Sequence, residues 1–192
     1  MKTIFIGGSR HISQLPAEVK QRLDNIVRNG HQVIVGDANG ADRAVQQHLF
    51  DAGYARVTVF CAGPRPRNNV GHWNIRSIDA RHVKGFEFYA AKDRAMARQA
   101  DVGLMIWDGK SPGTILNVLR LTGDGKASVL FDLPGRRVLN IKTPAEWQAF
   151  LAGCGDTLLR DLRERANPDE WQLGMATPAP DSGGHPPIRV GE

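Results

Sequence analysis

Cysteine is scarce in this chain. There are two, Cys61 and Cys154, and they form no CxxC pair, which argues against a disulfide-built scaffold and for free thiols in a cytoplasmic protein. Long apolar runs are missing as well. No stretch approaches the roughly 18 consecutive apolar residues of a membrane-spanning helix. The N-terminal run Ile4-Phe5-Ile6 stops at two glycines, too short for a secretory signal. The six histidines are scattered without metal-ligand spacing, so neither a metal nor a cofactor is expected. There is no GxGxxG, and "GKSPGT" lacks the GxxxxGK spacing of a Walker loop.

What is present suffices for one sizeable domain. The chain has 192 residues, 41% of them hydrophobic, and a net charge of +5. The charge is uneven. Residues 166–192 carry Asp169, Glu170, Asp181 and Glu192 against Arg189 alone, a net of −3, which leaves +8 on the rest. A basic body suits an anionic ligand or nucleic acid, and equally a solvated surface rich in lysine and arginine.

Apolar runs alternate with helical patterns along the chain. Strands are expected at Thr3–Ile6, Gln32–Gly36, Arg56–Cys61, Asp101–Trp107 and Ala127–Asp132, with a short sixth at Arg136–Ile141. Leu15, Val19, Leu23, Ile26 and Val27 recur at helical spacing after Pro16 and stop at Gly30. Further helices are expected over Ala41–Asp51, Phe86–Gln99, Thr114–Leu121, Pro144–Leu151 (capped by Thr143) and Asp156–Arg165. Cys61–Gly85 is too rich in Pro, Gly and Asn for regular structure and reads as a long loop, either functional or disordered. Residues 1–165 are expected to form one domain, followed by a largely disordered tail at 166–192, aperiodic from Thr177 onward. Strands alternating with helices predict an α/β fold: a doubly wound, Rossmann-like parallel sheet with helices on both faces.

In such a sheet ligands bind at the carboxyl ends of the strands, and the glycine-rich segments fall there. Gly7-Gly8-Ser9 with Arg10 behind it, the Gly36–Asp42 turn and the Asp108–Thr114 turn are candidate cradles for phosphate or ribose. Within them the candidate ligand-binding residues are Gly8, Ser9, Arg10, Gly36, Asp37, Gly40, Asp42, Gly109, Lys110, Ser111, Gly113 and Thr114. Ser9 reads equally as a turn serine, and Asp42 as an acid favoured in a helix's first turn. Trp73, in the long loop, either stacks on a base or pins the loop to the core.

The segments "GSR", "VGDANGAD", "KDRAMARQADVGLMIWDGKSPGT" and "GKASVLFD", in that order, resemble the SLOG superfamily. That group includes lysine-decarboxylase-like phosphoribohydrolases, the DNA-processing protein A fold and sensors of nucleotide-derived ligands. The resemblance covers roughly residues 1–135. It implies that "GDANGAD" and "WDGKSPGT" are the two phosphate loops, that Lys92 belongs to the site, and that the protein is a homo-oligomer. Two departures carry weight. Lys92 stands where the phosphoribohydrolases have arginine, and Asn117 stands where they have glutamate.

Cleavage of an N-glycosidic bond needs a carboxylate, and an amide cannot take a proton at neutral pH. Asp93 and Asp108 are the best-placed substitutes, so Asp93, Asp108 and Asn117 are the candidate catalytic residues. Because the usual carboxylate is absent, the leading expectation is a module that binds a nucleotide or nucleoside-derived ligand in a sensing or carrier role. The alternative is an N-glycoside hydrolase or (deoxy)ribosyltransferase acting on nucleosides or nucleoside monophosphates. Nucleic acid is the weakest partner class, since no helix-turn-helix or RNA-binding signature accompanies the basic charge, and no membrane partner is expected.

Overall fold

Alternation along the first strand shows how both faces of the sheet are filled. In the computed structural model, which describes residues 1–175, β1 (Thr3–Gly8) sends Phe5 into one apolar cluster and Ile4 and Ile6 into another. Strands buried on both faces need apolar residues on both, hence their continuous runs. After β1 come α1 (Ala17–Arg28), β2 (Gln32–Gly36), α2 (Ala41–Asp51), β3 (Val57–Ala62) and β4 (Asn74–Ile78). Then follow α3 (Phe86–Gln99), β5 (Val102–Trp107), α4 (Pro112–Gly123), β6 (Ala127–Asp132) and β7 (Arg137–Ile141). Helices α5 (Pro144–Ala152), α6 (Asp156–Arg165) and α7 (Pro168–Met175) complete the described chain.

The seven strands lie in the order β4-β3-β2-β1-β5-β6-β7. All neighbours are parallel except β6 and β7, which form an antiparallel edge. Val19 and Leu23 of α1 and Val45 and Leu49 of α2 pack on the Ile4 and Ile6 side. Met96, Leu116, Trp147 and Leu162, from α3 to α6, pack on the Phe5 side. This is the Rossmann-like, mostly parallel α/β sheet with helices on both faces. The chain leaves β1 towards β2 and returns on the other side through β5, so the order reverses between them and opens a crevice at their carboxyl ends. No helix among the described residues is long and apolar enough to cross a membrane.

Two segments differ from expectation. The stretch Cys61–Gly85 is not loop throughout, because Asn74–Ile78 pairs with β3 as an edge strand. Its residues are mainly exposed, so it carries no apolar alternation to betray it. Trp73, just before it, donates from Nε1 to the Tyr54 carbonyl at 2.9 Å and pins the loop. The second difference is α7, which lies inside the segment expected to be largely disordered. Its short sequence is held by partners distant in the chain: Glu170 pairs with Arg94 and Arg120, and Gly174 packs against Leu119 and Trp147. The expected disorder from Thr177 onward lies outside the described residues.

Gly8 marks how tightly the crossing is built. A Cβ there would stand 2.5 Å from the Ile106 carbonyl oxygen and 2.7 Å from the Ala41 Cβ. Backbone cannot swing aside as a side-chain tip can, so Gly8→Ala should lower stability by about 1–3 kcal/mol. Chemical denaturation against wild type measures it. An unchanged midpoint would mean that β1, β5 and α2 separate freely at this point.

Candidate functional site

The crevice between the carboxyl ends of β1 and β5 opens into a cleft of about 800 Å³. Its walls come from the β1–α1 turn, α3, the β5–α4 turn and the first turns of α4, with Arg165 reaching in from the end of α6. Of the sequence-predicted residues, Gly8, Arg10, Asp42, Lys92, Asp93, Asp108, Lys110, Ser111, Gly113, Thr114 and Asn117 all line it. Ser9, Gly36, Asp37, Gly40 and Gly109 are not in its lining, and each makes structural contacts within the protein.

Ser9 is fully buried. Its Oγ donates to Asp108 Oδ2 at 2.6 Å and accepts from the His11 amide at 3.2 Å. Its carbonyl accepts the Ala41 amide of α2 at 3.0 Å. One residue thus ties three loops together, which is the turn-serine reading. Asp37 is equally committed. It takes Arg67 in a two-pronged grip, with Nη2 at 2.8 Å and Nε at 3.0 Å, and also accepts the Arg67 amide. Burial would raise the Asp37 pKa, but these Arg67 bonds outweigh it and hold the carboxyl below its ordinary value.

The glycines divide in the same way. A Cβ at Gly36 would lie 2.3 Å from Asp42 Oδ2 and 2.7 Å from Lys92 Nζ. Gly36 therefore makes room for the protein's own ion cluster. Gly40, at φ 76°, passes 2.2 Å (as a Cβ would) from the Arg10 carbonyl oxygen. Gly109, at φ 78°, faces Pro134. Gly113 alone among the predicted site glycines meets nothing within 4 Å, and it lines the cleft.

Around Gly113 the backbone has donors to spare. Ser111 precedes α4 without capping it by a side-chain hydrogen bond, and Pro112 starts the helix, so the next amides lack partners. Thr114 is buried, and its Oγ1 has no hydrogen-bond partner among the described residues. Asp108 shapes the approach by accepting the Lys110 and Ser111 amides at 3.1 and 2.8 Å. Burial works to raise the Asp108 pKa, but Ser9 and these amides lower it overall. A carboxylate held ionised by three donors is a turn builder and a poor proton carrier.

Opposite stands a buried ion cluster. Lys92 Nζ donates to Asp93 Oδ1 at 2.7 Å, and only 5% of the lysine side chain is exposed. Burial lowers the Lys92 pKa, yet the charges of Asp93 and Asp42 raise it further, so the ammonium persists. Asp42 carries the opposite balance: burial pushes its carboxyl up to about 6, with Lys92 pulling against it. The helix-end reading of Asp42 is incomplete, because the Lys92 charge also acts on it beside Gly36.

Reading the sequence did not single out His11, Phe86, Tyr89, Met96 or Arg165 as site residues. Arg67 stacks 4.8 Å from the Tyr89 ring centroid, and Arg165 lies 5.4 Å from that of Phe86, so aromatic faces and guanidinium groups share the outer wall. Arg165 lies far from every loop in sequence; only packing of α6 brings it here.

No protein-family model matches this sequence, and no curated protein matches it. Solved structures do. DNA processing protein A from Helicobacter pylori, described for its single-stranded DNA binding mode, is 16% identical over 85% of this chain and 79% of that chain, with a TM-score of 0.53. TM1055, a structural-genomics target, is 21% identical over 67% of this chain and 72% of that chain, with a TM-score of 0.47. The first likeness supports the Rossmann-like fold that the sequence resemblance implies.

Asp42 gives the cluster a pH signature. Its pKa rises on folding from 3.8 to about 6, so the folded state holds this proton more tightly. Its contribution to stability is complete below 3.8 and is lost as pH climbs through about 6. Asp42→Asn should flatten that part of the stability–pH curve, read from denaturation midpoints between pH 4 and 8. Parallel curves for wild type and variant would contradict the burial-driven shift.

Proposed function

We propose that the protein binds a phosphorylated nucleoside or nucleoside-derived ligand in this cleft, in a sensing or carrier role, with the phosphate at the start of α4. The observation that carries this reading is the conjunction at one helix N-terminus of uncapped amides, the open Gly113 and the unpartnered Thr114 hydroxyl. Lys110 adds a cation there and forms no ion pair among the described residues. Asp42 and Asp93 suit sugar hydroxyls, which donate to carboxylates. The Phe86 and Tyr89 wall suits a flat base. The SLOG resemblance points to the same ligand class and adds homo-oligomerisation.

A second reading, the N-glycoside hydrolase or ribosyltransferase, draws support from one feature: Asp42, Asp93 and Asp108 converge on the same cleft. Asp108 is held ionised and Asp93 is paired to Lys92, which leaves Asp42, near pH 6, as the group suited to carry a proton. The single-stranded DNA binding of the Helicobacter protein supplies a third ligand to test, with the basic body in its favour.

Gly113→Val is the decisive variant. A Cβ at Gly113 meets nothing within 4 Å, so the fold should survive with a midpoint close to wild type, while a phosphate at that point would collide with the added side chain. For wild type, a nucleoside monophosphate at a hundredfold excess over Kd should raise stability by about 2.7 kcal/mol. The shift should vanish in Gly113→Val. A wild type unmoved by nucleotides at millimolar concentration would overturn the binding reading. Rapid release of free base, followed by chromatography and lost in Asp93→Asn or Asp42→Asn, would promote the enzyme. A salt-dependent gel shift with single-stranded DNA would promote the third ligand.

A further inference from the structure

The polar residues inside α4 form a chain that leads away from the cleft. Arg120 Nη1 donates to Asn117 Oδ1 at 2.8 Å, and both residues are buried. Arg120 Nε donates to Glu170 Oε1 of α7 at 2.8 Å, and Arg94 Nε of α3 donates to the same oxygen at 2.7 Å. Burial would raise the Glu170 pKa, but the two arginines outweigh it and hold the carboxyl down at about 2. The group at the end of the chain is a carboxylate over the whole ordinary pH range. Residue 170 lies beyond the part of the sequence that carries the family resemblance, so nothing in that resemblance assigns this relay.

A guanidinium has donors only. The Asn117 atom facing Arg120 must therefore be its oxygen, which settles the orientation of the amide. Its NH₂ group, with no acceptor among the described residues, is left for the cleft that Asn117 lines. Thr114 lies three residues earlier on the same helix face, with its hydroxyl also unpartnered.

We infer that Asn117 is a specificity-determining residue of this cleft, locked by Arg120 and Glu170 so that it presents donors only and selects a ligand group that accepts hydrogen bonds. Glu170 is the positioning residue, acting through Arg120. This rests on the cleft being the ligand site. The selected acceptor is a phosphoryl oxygen or an acceptor atom of the base or sugar; a bare donor such as an ammonium is rejected. The same lock explains why a glutamate at position 117 would make a poor base here, since Arg120 would hold its carboxylate ionised.

Calorimetric titration of the full chain with adenosine 5′-monophosphate and with adenosine tests the lock. Asn117→Asp is nearly isosteric, keeps an oxygen for Arg120, and turns the other group from donor to acceptor. It should weaken the monophosphate about tenfold or more. Weakening of the monophosphate alone places the acceptor on the phosphate. Equal weakening of both ligands places it on the base or sugar, and either pattern supports the lock. Asn117→Ala, which removes the donor without adding charge, should weaken binding in the same direction, so the test survives if the Asp variant fails to fold. Glu170→Ala should raise the monophosphate Kd, and Glu170→Gln, which keeps an accepting oxygen, should restore much of the loss. Wild-type affinity in both Asn117 variants would overturn the inference while leaving the binding reading intact. A Glu170→Ala protein that melts earlier but binds as wild type would make Glu170 merely structural and overturn the relay. A wild type that binds neither ligand would overturn the binding reading and this inference with it.

Discussion

Helix α4 is buried along its length from Thr114 to Thr122, and that constraint organises much of the molecule. An ordinary helix in an α/β fold buries one stripe and leaves the other to water. Here the sheet covers one side, and α5, α6 and α7 close over the rest. A charged group on the helix then has to find its counter-charge inside the protein, because a buried charge without one is strongly destabilising. Arg120 is the critical case. It finds Asn117 within the helix and Glu170 from α7, and through Glu170 it meets Arg94 of α3. The C-terminal helices thus finish the core, and they do so with charge as well as with Trp147 and Leu162.

The same burial gives the cleft its character. An enclosed helix presents only its N-terminus to a ligand, and α4 presents it uncapped at the crevice where the strand order reverses. Most of the nearby polar groups are used internally: Ser9 joins three loops, Asp37 grips Arg67, and Asp108 builds the turn before α4. The groups left over are few and concentrated at Gly113, Thr114, Lys110 and the Asn117 amide. A cradle whose surroundings are already hydrogen-bonded is rigid, and rigidity lowers the ordering cost of binding.

Glycine-rich loops proved a blunt guide to which positions open on the cleft. Gly36 and Gly40 were legible as special positions because a strand-to-helix turn needs them, but the sequence could not say what approaches them. In the structure it is the Asp42 carboxylate and the Lys92 ammonium at Gly36, and the Arg10 backbone at Gly40. Gly113 carried no stronger signal than its neighbours, yet among the predicted site glycines it alone faces open space. The edge strand Asn74–Ile78 and helix α7 escaped notice for a related reason. Each is short and largely exposed along one side, and each is stabilised by residues far away in sequence, whose effect no local pattern records.

The sequence by itself determined the alternating α/β plan, because strands buried on both faces require continuous apolar runs and the helices between them require apolar residues at helical spacing. It also determined which chemical groups would gather at the carboxyl ends of the strands, since chain order in a parallel sheet places every strand-to-helix turn on one edge. Tertiary structure decided the rest. It decided which of those groups are consumed in holding the loops together, that Arg165 joins the cleft from a distant helix, and that the Asn117 amide turns its oxygen inward. Those outcomes depend on partners separated by tens of residues, and hydrogen bonds and ion pairs are satisfied by proximity in space, which only the packed chain supplies.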